Sequence, residues 1–177
     1  VVDVIQSAFQ SAGQRCSALR VLYVQEDVAD RVTNILQGAM NELHVGDPRQ
    51  LGTDVGPVID EDARKGLQAH IDALKSEGRL VAETPMAAEH TENGTYIAPV
   101  AFNIDSIDSL TREQFGPILH IVRYKASELD KVIDEINARG YGLTFGVHSR
   151  NESFAADIAR RMRVGNVYIN RNIIGAV

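Results

Sequence analysis

Two stretches of this chain carry side chains capable of covalent or ligand-binding chemistry. The first is Ser11-Ala12-Gly13-Gln14-Arg15-Cys16-Ser17-Ala18, which contains the single cysteine. A thiolate is a strong nucleophile, and Arg15 puts a positive charge next to the sulfur. Gly13 permits an unusual backbone or a close approach by a ligand. The small polar residues around Cys16 would make a poor core strand. A nucleophile on a turn at a strand edge fits these features, and an inert cysteine packed as a small hydrophobe is the ordinary alternative. The second stretch is Thr111-Arg112-Glu113-Gln114-Phe115-Gly116-Pro117. It joins a carboxylate, an aromatic ring and a rigid turn. Glu113 could accept a hydrogen bond from a ligand hydroxyl while Phe115 packs on a ligand ring. A solvated Glu beside a core Phe is the structural alternative.

Other candidates are weaker. Gly140-Tyr141-Gly142-Leu143-Thr144-Phe145-Gly146 looks like a dinucleotide fingerprint, but its spacing is one residue too long. It also follows a helix and enters a strand, the reverse of the required order, so its glycines are expected to cap a helix and open a strand. The histidines at 44, 70, 90, 120 and 148 show no metal-ligand spacing with each other or with Cys16, so no metal site is expected. His70 is expected on a helix face and His120 in a strand, both structural. Asn93-Gly94-Thr95 and Asn151-Glu152-Ser153 match the glycosylation sequon but lack a secretory signal before them. Glu61, Asp62, Glu128 and Asp130 fall in first helical turns, where the helix dipole accounts for them.

The elements that must hold these residues follow from hydrophobic period. Apolar positions at 1, 2, 5, 8 and 9 predict a first helix, and residues 19–24 a buried strand. Val28, Val32, Ile35, Leu36, Ala39, Met40 and Leu43 recur at helical spacing before the stop at Gly46-Asp47-Pro48. Residues 51–59 read as loop. A helix is predicted over 60–76 with Ala63, Leu67, His70, Ile71 and Leu74 on one face and Gly78 as its cap. Strands are expected at 79–83, 96–102 and 118–124, with an exposed loop at 84–94 and a connector through Gly116-Pro117. A third helix turns Leu129, Val132, Ile133 and Ile136 inward and ends at Gly140; a strand at 143–147 follows. A fourth helix turns Phe154, Ile158, Ala159 and Met162 inward, Gly165 stops it, and 167–169 form a last strand. This alternation predicts an α/β fold, with a largely parallel sheet covered on both faces.

Composition bounds the reading. At 177 residues, with 44% hydrophobic and 24% charged side chains, the chain suits one domain or a large piece of one and is not disordered. A net charge of −6 has the wrong sign for a dedicated nucleic-acid or anionic-membrane binder. One cysteine makes no internal disulfide, and neither a signal peptide nor a spanning apolar run is present, so a soluble cytoplasmic protein is expected. The apolar beginning at Val1 and the apolar ending at Val177 suggest a fragment that continues on both sides.

Gly13-Gln14-Arg15-Cys16, followed by Glu113-Gln114-Phe115-Gly116-Pro117, resembles the nucleophile motif (Gly-Gln-x-Cys) and the cofactor motif (Glu-x-Phe-Gly-Pro) of the aldehyde dehydrogenase superfamily. The likeness covers almost the whole chain. Residues 53–60, 140–148 and 165–172 are similar to the glutamate-semialdehyde (pyrroline-5-carboxylate) dehydrogenase module of its bifunctional proline-degrading members. The Asn170-Arg171-Asn172 ending separates these from the monofunctional ones. The resemblance implies the three-layer catalytic domain of that fold over residues 1–177. It implies NAD as cofactor, with FAD confined to a proline dehydrogenase half of the parent. It makes Cys16 the nucleophile, Glu113 the ligand of the nicotinamide ribose, Phe115 its neighbour at the nicotinamide, and Arg15 and Ser17 the contacts of the substrate carboxylate. It places the general-base Glu, the oxyanion Asn and the Rossmann domain upstream, and a carboxylate-anchoring loop downstream, so the isolated chain is expected to be inactive. The expected partners are the aldehyde, the rest of the parent polypeptide and further copies in a homo-oligomer, with no nucleic-acid or membrane contact. The alternatives are an aldehyde dehydrogenase of other substrate preference and a non-catalytic α/β assembly domain.

Overall fold

The apolar spacing switches between periods of two and of 3.6 residues, and the chain switches between strands and helices with it. The structure is a computed structural model that describes residues 1–88 and 93–175. The order is α1 (Val2–Phe9), a 3-10 turn (Gln10–Gly13), β1 (Val21–Gln25), α2 (Glu26–Asn41), α3 (Glu61–Ser76), β2 (Leu80–Glu83), β3 (Val100–Asn103), β4 (Ile118–Tyr124), α4 (Leu129–Ala138), β5 (Thr144–Val147), α5 (Glu152–Arg161) and β6 (Asn166–Ile169). Local signals set the boundaries. Asp60 caps α3 by accepting the Ala63 N–H at 2.7 Å, and Gly78 follows that helix at φ +70°. Gly140, at φ +73°, lies just beyond α4, and β5 opens soon after, as expected for that glycine-rich stretch.

The main sheet runs β1-β4-β3-β2. β4 is parallel to both β1 and β3, and β2 is an antiparallel edge. Residues 118–122 of β4 are buried without a break, so both faces of the sheet are covered there. β5 and β6 form a separate parallel pair with its own small core of Ile133, Val147, Ala155, Ile158 and Met162. The strand spacing gave no sign of this division. The fold is therefore α/β with a mostly parallel sheet, as expected. Among the described residues no helix is long and apolar enough to cross a membrane.

One inward assignment and one strand boundary need correction, and the exposed flank of α2 was not foreseen. On α2 the buried stripe is Ala29, Leu36 and Met40, while Val28 and Ile35 are exposed. The apolar arc of that helix is wider than the sheet beneath it, so its flank stays in solvent. On α5 Ala155 takes the inward place expected for Phe154, whose ring is exposed. β3 is shorter than predicted and starts at Val100, because the paired ladder begins only there. Parts of the expected 84–94 loop, including His90, and the last two residues lie outside the described residues.

Candidate active site

The nucleophile motif is built on an unusual turn. Ser11, Ala12 and Gly13 have φ of 55°, 53° and 63°, three left-handed residues in succession. This conformation costs L-residues about 1–2 kcal/mol each, so packing must hold it in place. Gly13 shows how. A Cβ there would lie 2.2 Å from the Gly116 carbonyl oxygen and 2.9 Å from that of Ala8. The glycines of the two motifs thus meet backbone to backbone, and no side chain fits between them.

Each remaining residue of the motif has a defined partner. The Gln14 amide donates to the Pro57 carbonyl at 3.3 Å and accepts the Ile59 N–H at 2.8 Å, pinning residues 57–59 to the turn. Arg15 donates to the Ser11 hydroxyl at 3.2 Å and the Ile174 carbonyl at 3.4 Å. Ser17 is buried and its hydroxyl donates to the same Ile174 carbonyl at 3.4 Å. Arg15 and Ser17 therefore converge on one segment near the end of the described chain. Cys16 itself is exposed.

Cys16 and Glu113 line one cleft of about 330 Å³, together with Arg20, Arg112 and Tyr141. A larger cleft of about 770 Å³ opens near the end of α2, between residues 43–53 and Pro85, Ala87, Asn93 and Tyr96, and contains neither motif. The smaller one is the site candidate, because it brings an exposed thiol and a carboxylate together. Within the second motif Gln114 is buried, while Glu113 and Phe115 on either side face outward.

Arg20 joins the two motifs, and the sequence reading passed over it. Its Nε donates to Glu113 Oε1 at 3.0 Å, and its terminal nitrogens donate to the carbonyls of Gly13 and, at 2.9 Å, Arg15. The guanidinium also stacks 4.7 Å from the centre of the Phe115 ring. Burial pushes its pKa below the ordinary arginine value, and the hydrogen bond and charge of Glu113 oppose that shift. The signal was available: an arginine inside an otherwise apolar strand must have partners. A lysine offers a point charge where this fork reaches four acceptors, the fourth being the Gly116 carbonyl at 3.5 Å. Arg20→Lys should therefore lose about 2 kcal/mol of stability, close to the loss in Arg20→Met. Urea unfolding of both variants checks this, and a lysine variant as stable as wild type would contradict it.

The structure therefore brings Cys16 and Glu113 to one cleft, ties Phe115 to it through Arg20, and groups Arg15 with Ser17 through the Ile174 carbonyl. A sequence profile of the aldehyde dehydrogenase family matches residues 1–177. The chain belongs to the aldehyde dehydrogenase family. It is 50% identical over its full length to the bifunctional protein PutA of Klebsiella aerogenes, of which it spans 14%. It is 35% identical over 99% of its length to 1-pyrroline-5-carboxylate dehydrogenase of Geobacillus thermodenitrificans, of which it spans 33%. A crystal structure of a variant of Bradyrhizobium japonicum proline utilization A superposes with a TM-score of 0.91 at 51% identity, covering 98% of this chain and 17% of that one. The family resemblance of the two motifs and the fold it implies are thus both borne out.

Proposed function

We propose that residues 1–177 are the nucleophile-bearing part of an NAD-dependent aldehyde dehydrogenase that oxidises glutamate semialdehyde, the open form of pyrroline-5-carboxylate, to glutamate in proline catabolism. One observation carries this reading: an exposed Cys16 faces a cleft shared with Glu113, and Arg20 couples the two motifs. The relatives that span the whole chain act as support for the substrate class. A non-catalytic role would place the cysteine in the core.

The residues present fit the cofactor. Glu113 keeps 38% of its side chain in solvent, so its carboxylate can accept from a vicinal diol such as the nicotinamide ribose. Phe115 is exposed next to it, a flat apolar surface for the nicotinamide end. In the reaction the Cys16 thiolate adds to the aldehyde carbon, a C–S bond forms, and the carbonyl oxygen becomes the oxyanion of a thiohemiacetal. The Cys16 backbone N–H would donate to that oxygen. Bound NAD⁺, held by Glu113 and Phe115, would supply the two-electron acceptor for oxidation of that adduct to a thioester on Cys16. Water then attacks the thioester carbon, the C–S bond breaks, and the carboxylate product leaves with the thiolate restored. Arg15 and Ser17 would hold the distal carboxylate of the substrate, a role suited to a guanidinium and a hydroxyl.

Kinetics of the full-length enzyme test the assignment. Its kcat/KM for glutamate semialdehyde should exceed that for an unsubstituted aliphatic aldehyde of the same length by about a hundredfold or more, because a site built for a carboxylate is left with unpaired polar groups by the plain chain. Equal values would remove the substrate assignment and leave the family.

A further inference from the structure

His70 on α3 and His120 on β4 meet beneath the site. Their Nε2 atoms are 2.9 Å apart, and the rings cross edge to face at 5.2 Å. His120 is 1% exposed. Its Nδ1 lies 3.0 Å from the Arg20 carbonyl oxygen, which also accepts the His120 backbone N–H at 3.0 Å. A carbonyl only accepts, so Nδ1 must carry the hydrogen. A neutral imidazole carries one, which leaves the His120 Nε2 as an acceptor. The facing His70 Nε2 must then be the donor. One arrangement of protons satisfies the row: His70 Nε2–H to His120 Nε2, then His120 Nδ1–H to the Arg20 carbonyl. Beyond that carbonyl the Arg20 side chain reaches Glu113, Gly13 and Arg15.

We infer that His70 and His120 are positioning residues, a neutral relay from α3 through β4 that fixes the Arg20 main chain and with it the Arg20–Glu113 bridge, and that a second proton on His120 breaks the relay. A second proton on His120 would set two N–H groups against each other at the His70 contact. A second proton on His70 would sit on its far nitrogen, adding an uncompensated charge next to a buried ring. The surrounding charges oppose this. Arg112 from the connector disfavours charge on His70, and Arg20, just before β1, and His70 disfavour it on His120; Glu77, just past α3, favours a proton on His70, and the hydrogen bond to the Arg20 carbonyl favours one on His120. Burial is the largest influence on both, lowering His70 and pushing His120 down to about 4. In the unfolded chain both titrate near ~6.5. Between about 4 and 6.5 the unfolded state therefore binds more protons, so the stability the pair contributes is complete above that window and is lost as pH falls through it.

The kinetic part of the test rests on Glu113 as a cofactor ligand, and the thermal part does not. In the full-length enzyme, His120→Leu removes the donor to Arg20, whereas His120→Asn keeps an N–H near the Nδ1 position without titrating. His120→Leu should raise KM for NAD⁺ about tenfold with a smaller change in kcat, and His120→Asn should return it to within about threefold of wild type. His70→Gln keeps the donor to His120 and also removes a titrating ring. It should leave KM at pH 7.5 unchanged and shrink the fall in Tm between pH 6.5 and 5 by about half. His120 variants that share one KM, or an undiminished acid loss of Tm in His70→Gln, would overturn the inference. If the wild type reduces no NAD⁺, the proposed activity falls separately, and the His70→Gln thermal profile alone decides the relay. The same profile decides if His120→Leu does not fold.

Discussion

Cys16→Ser in the full-length enzyme should lower kcat for aldehyde oxidation by about 10⁴-fold or more while leaving Tm within about 2 °C of wild type. The stability half follows from exposure: the sulfur is in solvent at the mouth of a cleft, so an isosteric change there removes little packing. The catalytic half follows from the covalent route. A hydroxyl at neutral pH is a far weaker nucleophile than a thiolate and needs an adjacent base. Among the described partners of the turn, Ser11 is a neutral hydroxyl, Arg15 and Arg20 only donate, and the Glu113 carboxylate is held by Arg20, so none is set to serve as that base. Without the adduct there is no thiohemiacetal to oxidise, and KM for NAD⁺ should stay near the wild-type value because Glu113 and Phe115 are untouched. Single-turnover NADH formation, read with a melting curve, checks both halves. Retained activity would return Cys16 to the status of an ordinary surface thiol. A large fall in Tm would mean that the loss reflects folding instead.

Much of this site was legible in the chain because its residue types are rare in the places they occupy. A cysteine among small polar residues after a glycine, and a Glu-x-Phe-Gly-Pro run, are hard to explain as packing alone. The helices were legible because Leu36 and Met40, or Leu67 and Ile71, repeat at the period of a buried stripe. Period cannot say how wide a face the neighbouring layer will cover, and so Phe154 was expected inward but lies in solvent, as do Val28 and Ile35 of the helical repeat on α2. The pairing of β5 with β6 apart from the main sheet is a long-range choice that local pattern does not encode. The same holds for contacts across large sequence separations. Nothing near Gln14 announces residues 57–59, and nothing near His70 announces His120. Arg20 was different. Its charge in an apolar run was a visible anomaly, and asking what it must bind would have led from the first motif to the second.

Gly13→Ala should be among the most damaging small substitutions in the protein, and Gly78→Ala supplies its control. Both glycines have positive φ, +63° and +70°, so both variants bear the left-handed cost of about 1 kcal/mol. At Gly78 the new methyl meets nothing within 4 Å, and that cost should be the whole effect. At Gly13 the methyl would lie 2.2 Å from one backbone oxygen and 2.9 Å from another. Neither can step aside cheaply. The Gly116 oxygen accepts the Ile118 N–H at 2.8 Å at the start of β4, and the Ala8 oxygen belongs to α1. Overpacking of this kind adds about 2 kcal/mol, for a total near ~3 kcal/mol. The relief available to the chain is to slide the turn away from Gly116, which carries Cys16 with it and loosens the Arg20 bridge to the Gly13 carbonyl. A displacement of about 1 Å at a reacting atom can cost about a hundredfold in rate. Gly13→Ala should therefore lose both stability and kcat, whereas Gly78→Ala loses only stability. Denaturant midpoints and kcat measured side by side distinguish the two. Equal losses in the variants would mean that the left-handed conformation alone matters at Gly13, and that the two motifs are not interlocked through their backbones.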